Sequence, residues 1–164
     1  MSIHIKFLFG LVIGFSQLAW AADIPSTDPI QQLLGEDKNN NGVRDDFEEL
    51  ILNSELSERA KQHALQAGKA YSSTMKLSTA KDEVTVDQAR LTMQLMIHVY
   101  RCKIQIAKEE GQSWRESDFY NEIDRLEVKF IFSSFLDQLA GDDYPYEFPA
   151  DACLSLASST KDEL

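Results

Sequence analysis

Between residues 86 and 111 the apolar side chains fall on one helical stripe. Leu91, Leu95, Val99, Cys102 and Ile106 recur at intervals of three and four, with Met96 and Tyr100 beside them. Thr85 and Gln88 form a capping-box pair at the start, and Gly111 is placed to stop the helix. A second helix opens almost at once, from another such pair, Ser113 and Glu116. So short a connection makes the two helices antiparallel neighbours. The second helix carries two overlapping stripes: Phe119, Ile123, Leu126 and Phe130, then Val128, Phe132, Phe135 and Leu139. Apolar on more than one face around 128–136, it is expected at the centre of a bundle until Gly141 ends it.

Upstream, Leu56, Ala60, Ala64, Ala67, Tyr71 and Met75 give another helical stripe. Gly68 interrupts it, weakening the helix by about 1 kcal/mol relative to Ala. Residues 78–86 read as a linker or mobile loop. Asp28, Pro29 and Gln31 make a helix start, with Asp28 as cap and Gln31 completing a capping box; Gly35 ends that helix early. A further helix is expected from Asp45 to about Asn53. Near the end, Tyr144-Pro145-Tyr146-Glu147-Phe148-Pro149 cannot be helical and reads as an extended arm across the bundle. Residues 155–164 read as a polar tail. The fold class is all-α: an antiparallel helical bundle with an irregular C-terminal arm.

The first segment stands outside this fold. Lys6 is followed by the apolar run Phe7–Phe15, then by Ala19-Trp20-Ala21-Ala22, the small residues a signal peptidase reads. The run is too short to span a bilayer, which takes about 20 apolar residues. Residues 1–21 are therefore expected to be a cleaved signal peptide, leaving no membrane span in the mature chain. Of that chain, 22–36 are a lead and short helix, 37–48 a loop, 49–154 a helical domain and 155–164 the tail. A formal charge of -11 over 164 residues argues against nucleic acid and anionic membranes as partners, and favours cations.

The loop supplies a place for one. Residues 37–48 read Asp-Lys-Asn-Asn-Asn-Gly-Val-Arg-Asp-Asp-Phe-Glu. A twelve-residue calcium loop needs side-chain oxygens at places one, three, five and nine. It also needs Gly at six, a backbone carbonyl at seven and a bidentate Glu at twelve. Those places hold Asp37, Asn39, Asn41, Asp45, Gly42, Val43 and Glu48. The ligands are oxygens because Ca2+ is a hard cation, and Gly permits the chain to curl around it. The run resembles a single EF-hand-type calcium loop, and the chain is similar to small uncharacterised secreted or periplasmic bacterial proteins with such a loop near the mature N-terminus. Paired loops keep an aliphatic residue at place eight, where this chain has Arg44, and no second such run occurs. The site is thus expected to be solitary, weak (about 10⁻⁴–10⁻³ M) and structural.

Cys102 and Cys153, two cysteines in an exported chain, are expected to form one disulfide. His63 and His98 have no ligand-spaced neighbours and read as ordinary residues. Glu109-Glu110 and Asp142-Asp143 read as solvated helix ends. Phosphate-loop, nucleophile-elbow and zinc-protease patterns do not occur in the sequence, so it reads as non-enzymatic. The expectation is an exported calcium-binding helical protein, periplasmic or secreted, acting through contacts with a protein partner. The terminal Lys161-Asp162-Glu163-Leu164 spells an ER-retention signal, which gives the alternative: a calcium sensor or buffer of the ER lumen. An enzyme of unrecognised type is the second alternative. The leader has a direct check. Protein recovered from the periplasm or medium should have the intact mass of a chain beginning at Ala22; recovery of full-length chain from membranes would show residues 7–18 to be an anchor.

Overall fold

The computed structural model describes residues 28–162; the leader, the remainder of the lead and the end of the C-terminal tetrapeptide lie outside them. The described residues form seven α-helices and no strand: α1 (Pro29–Leu34), α2 (Asp45–Leu52), α3 (Glu58–Thr79), α4 (Val86–Glu110), α5 (Glu116–Phe119), α6 (Ile123–Ala140) and α7 (Ala152–Asp162). None of these is long and apolar enough to cross a membrane. The α4 capping box forms as expected: Thr85 Oγ1 accepts from the Gln88 N–H, and Gln88 Oε1 accepts from the Thr85 N–H. At α1, Asp28 caps the Ile30 N–H at 3.0 Å, but Gln31 donates its amide forward to the Gly35 carbonyl and completes no box. The 78–86 linker is shorter than expected, because α3 continues through Thr79 and a single 3₁₀ turn, Lys81–Glu83, leads to α4.

Two long-range contacts report the helix directions. Arg59 at the start of α3 meets Glu109 at 2.6 Å and Glu110 at the end of α4, so those acids are joined to a partner helix instead of simply solvated. Arg90 near the start of α4 donates to the Ala140 carbonyl at the end of α6. α4 therefore runs antiparallel to both, and it also packs against α7.

The centre of the bundle is α4, not the helix after it. The single helix expected from Ser113 is two. Trp114, Phe119 and Tyr120 are all buried, and adjacent residues cannot share one narrow helix face, so α5 stops at Phe119 and the chain bends before α6 begins. After the bend the second stripe faces inward, and of the first stripe Leu126 alone still packs against the main core. Phe132, Leu136 and Ala140 join Ala89 in a smaller core, with Phe135 and Leu139 at its edge. From the other face, Ile123 is 75% exposed and Phe130 62%. Leu91 and Tyr100 of the α4 stripe also point outward.

The C-terminal arm crosses α4 as expected. Gln94 grips it through both amide atoms, accepting from the Glu147 N–H at 2.7 Å and donating to the Glu147 carbonyl at 2.8 Å. The polar tail expected after the arm is corrected to helix: residues 155–162 continue α7. Ser155 and Ser158 hydroxyls bond back to the Asp151 and Ser155 carbonyls, while Ala152, Cys153 and Leu156 enter the main core. Cys102 and Cys153 are joined in a disulfide with Cα atoms 4.5 Å apart, pinning α7 to α4 across a sequence separation of 51. Loop-closure entropy makes such a link worth about 4 kcal/mol.

Gly68 is explained by what lies over it. A Cβ there would come within 3.0 Å of both Val43 and Phe47, which are themselves 1% exposed and have no room to retreat. The helix-propensity cost at Gly68 thus permits the loop and α2 to seat on α3. Gly68→Ala should therefore destabilise, by up to about 2 kcal/mol, despite Ala's better propensity, since overpacking costs about 1–3 and propensity returns about 1. Equal or higher stability in urea titration would contradict this packing.

Candidate metal centre

The twelve residues from Asp37 to Glu48 curl into a closed loop held by their own side chains. Asp37 accepts from two backbone N–H groups with its two oxygens, Asn41 at 3.1 Å and Gly42 at 3.0 Å. Asn39 Oδ1 accepts from the Asn41 N–H at 3.0 Å, and Asn41 Oδ1 from the Val43 N–H at 2.8 Å. These side-chain-to-backbone turns are what Asp and Asn do best, and they bend the chain repeatedly in one sense. Gly42 sits at φ 84°, where a side chain would be strained. The loop's two ends are joined by the Asp45 N–H donating to the Glu36 carbonyl at 2.8 Å.

Glu48 closes the ring. From the first turn of α2 its two oxygens accept from the Asn39 side-chain amide at 2.9 Å and the Asn41 amide at 2.7 Å. Places three, five and twelve of the motif are thus in direct contact, and place one braces the same turn. Asp45 is turned elsewhere: both its oxygens accept from the Lys38 N–H at 3.2 Å. The three carboxylates do not meet at one point. Asp37 holds the turn, Asp45 the entrance and Glu48 the two amides. Place nine commonly reaches a calcium ion through water, so a set-back Asp45 is compatible with that role. Val43 enters through its side chain, buried in the main core beside Phe47 and Ile51. The residue types are those a hard cation takes, but Asn39 and Asn41 turn their amide nitrogens to Glu48 and their oxygens to backbone N–H groups, so the side-chain oxygens lie along one curl without converging on a point.

Arg44 and its partners are the part of this region that sequence reasoning missed. Its side chain is only 2% exposed, and its guanidinium lies 4.6 Å from the centre of the Phe119 ring. Nε pairs with Asp46, Nη2 donates to Asn121 Oδ1 at 3.2 Å, and Nη1 has no hydrogen-bond partner. Arg125 shares Asn121, donating to it at 3.0 Å, and donates to the Leu33 and Gln32 carbonyls at the end of α1. The loop is thereby wired through Arg44, Asn121 and Arg125 to α1 and the start of α6. The signal was the departure at place eight: an arginine between the core residues Val43 and Phe47 must be buried and must find partners.

Charge around the site follows these contacts. Partial burial pushes the Asp46 carboxyl up, but its hydrogen bond to Arg44, that guanidinium's charge, the Phe47 N–H and Arg125 outweigh this and hold it below the ordinary carboxylate range. Burial, then the neighbouring Arg44, push Arg125 downward. The cleft between α1, the loop and α6, about 530 Å³, is lined by Glu36, Lys38, Asp46, Glu122 and both arginines, which pair among themselves. His98 is buried beside Gln94, whose amide lies 2.8 Å from its Nε2, and desolvation lowers its pKa.

No protein-family model, curated protein or solved structure matches this chain.

The Asp46–Arg44 contact carries a pH dependence of definite sign. A carboxyl whose pKa is lower folded than unfolded adds stability that is complete above the unfolded value, about 3.9, and is lost as pH falls through the folded value. Asp46→Asn should therefore be less stable than the parent at pH 6–7, and the gap should close as pH is lowered below about 4. Thermal melts of both proteins from pH 7 to pH 2 check this; a gap constant across the range would remove Asp46 from the charge balance.

Proposed function

We propose that residues 37–48 bind one calcium ion, and that the ion's role is to fix α2 and its buried anchors to the bundle of an exported helical protein that works through contacts with another protein. Asp37, Asn39, Asn41, the Val43 carbonyl, Asp45 and Glu48 would hold it. The observation that carries the reading is the return of Glu48 from α2 to Asn39 and Asn41, across nine and seven residues, onto the curl that Asp37 and Gly42 form. A bound ion would supply positive charge to Asp37, Asp45 and Glu48, which here accept only from N–H groups, whereas Asp46 already has Arg44. The chain's own residues do the rest. Val43, Phe47 and Ile51 transmit the fixed loop to α3, and Arg44 transmits it to Phe119 and Asn121. A solitary loop with so many neutral ligands suits a millimolar extracellular ion, and the leader sequence agrees with that compartment.

Because only the folded chain presents the site, stability should rise as RT ln(1 + [L]/Kd). At about 5 mM calcium and a Kd of about 0.5 mM this is roughly 1.4 kcal/mol, a few degrees in melting temperature. Asp37→Ala and Glu48→Gln should each abolish the shift. Magnesium should give less, since its small octahedral shell accommodates a bidentate carboxylate poorly. Identical melting of the parent protein in chelator and in calcium would reduce the loop to a turn.

A further inference from the structure

The arm between α6 and α7 is held to α4 by one side chain whose orientation the backbone dictates. Gln94 Oε1 accepts from the Glu147 N–H at 2.7 Å, and Gln94 Nε2 donates to the Glu147 carbonyl at 2.8 Å. The reverse orientation of the amide would set N–H against N–H and oxygen against oxygen. Gln94 Nε2 also lies 2.8 Å from His98 Nε2. An amide nitrogen only donates, so this ring nitrogen accepts and the imidazole proton sits on Nδ1. His98 Nδ1 is buried and has no hydrogen-bond partner among the described residues. The amide that grips the arm therefore also holds His98 neutral.

We propose that the arm is a proton-released strap: protonation of His98 detaches Gln94 from Glu147 and lets residues 142–151 lift away from α4. An imidazolium carries hydrogen on both nitrogens and accepts at neither. Gln94 Nε2 and His98 Nε2 would then be two donors facing each other at hydrogen-bond distance. The amide can turn its oxygen to the charged ring only by giving up both bonds to Glu147. Neutral ring and fastened arm belong to one state, charged ring and free arm to the other.

The strap can open without unfolding the bundle. Gly141, at φ 85°, ends α6 on one side, and Cys153 on the other is joined to Cys102 of α4. The segment between them is a loop tied at both ends, the kind of unit that opens locally. Its closed state carries two buried polar atoms without partners, His98 Nδ1 and Tyr146 Oη, a cost that opening relieves. Opposing this, Tyr146 packs at the edge of the smaller core, Arg90 lies 4.9 Å from the Tyr144 ring and Arg101 lies 5.5 Å from the Phe148 ring. Lifting the arm would uncover Met93, Phe135 and Leu139 at that edge.

The sign of the pH dependence follows from the surroundings of the ring. Burial is the largest influence and disfavours the charged form; Glu147 on the arm favours it, and Arg101 on α4 disfavours it. Of the other charged groups along the arm, Asp137 of α6 acts on Tyr146 and Arg90 stacks on Tyr144. The ring thus charges less readily with the strap closed than with it open. Closure is complete above the ordinary histidine value of about 6.5 and is lost as pH falls below it. No residue of the calcium loop takes part, so this inference and the calcium reading fail separately.

Amide hydrogen exchange of the whole oxidised protein, in calcium throughout, tests the strap at pH 7 and pH 5, with rates corrected for intrinsic exchange. Protection of the Glu147 N–H should fall at least about fivefold, toward a limit of about 25-fold set by an open-state pKa of about 6.5. Val99 and Cys102 in α4 should keep their protection. Ring-nitrogen NMR at pH 7 should find the His98 proton on Nδ1. His98→Gln, which cannot take a charge, should abolish the pH effect. Gln94→Ala should leave Glu147 unprotected at both pH values and bring the His98 pKa up to its ordinary value, and it carries the comparison if His98→Gln does not fold. The proposal is overturned if Glu147 is equally protected at both pH values, or if Val99 and Cys102 lose protection by the same factor. It is equally overturned if the His98 proton is on Nε2, or if folded His98→Gln keeps the pH effect.

Discussion

Close approach to α3 is the constraint on which the rest of the structure depends. Its inward face is built from Ala60, Ala64, Ala67, Gly68 and Ala70, each with little or no side chain, before Tyr71 and Met75 widen it. Small residues let the loop with α2, the central α4 and the terminal α7 all pack within reach of one helix. Large residues come from the partners: Phe47 and Ile51 from α2, Ile106 from α4, Trp114 and Phe119 from the segment after it, Leu156 from α7. Tyr71 then joins the aromatic group, meeting the Phe119 ring at 5.1 Å and accepting from Trp114 Nε1 at 3.3 Å. The burial of these rings is what bends the chain before α6 and turns Ile123 and Phe130 outward.

The loop inherits its rigidity from this packing on one side and from buried arginines on the other. Val43 and Phe47 hold it to α3, while Arg44 and Arg125 share Asn121 and reach the last carbonyls of α1. Two guanidinium groups in so small a region are costly to desolvate, and Asp46, Glu122, the Phe119 ring and the α1 carbonyls offset that cost. A calcium ion in the loop would therefore act on more than twelve residues. It would fix the short helix α2, and through Arg44 the junction between α5 and α6.

Much of this was legible in the sequence, for reasons that can be named. Caps and stops at Asp28, Thr85, Gly35, Gly111 and Gly141 depend on local chemistry, and each falls where expected. The motif from Asp37 to Glu48 was legible because its turns are also local: Asx side chains bond to backbone two to five residues away. What failed depended on tertiary choice. Two stripes on α6 were visible, but which one faced inward was decided by burial of Trp114 and Tyr120 elsewhere. The α7 helix was obscured because serines that bond back to their own helix look, in sequence, like a solvated tail. The roles of Arg44 and Arg125 were illegible because Phe119 and Asn121 lie dozens of residues from the one, and the α1 carbonyls from the other.

Calcium in the loop must act on residues 37–48 and α2 as one unit if its role is structural. Amide hydrogen exchange of residues 37–52, measured in calcium and in chelator, reads this directly. Calcium should slow exchange across the whole segment, including Gly42 and Val43, whose N–H groups are held by Asp37 and Asn41, and Glu48→Gln should remove the effect. Exchange in this segment that is the same with calcium and with chelator in the parent protein would contradict it.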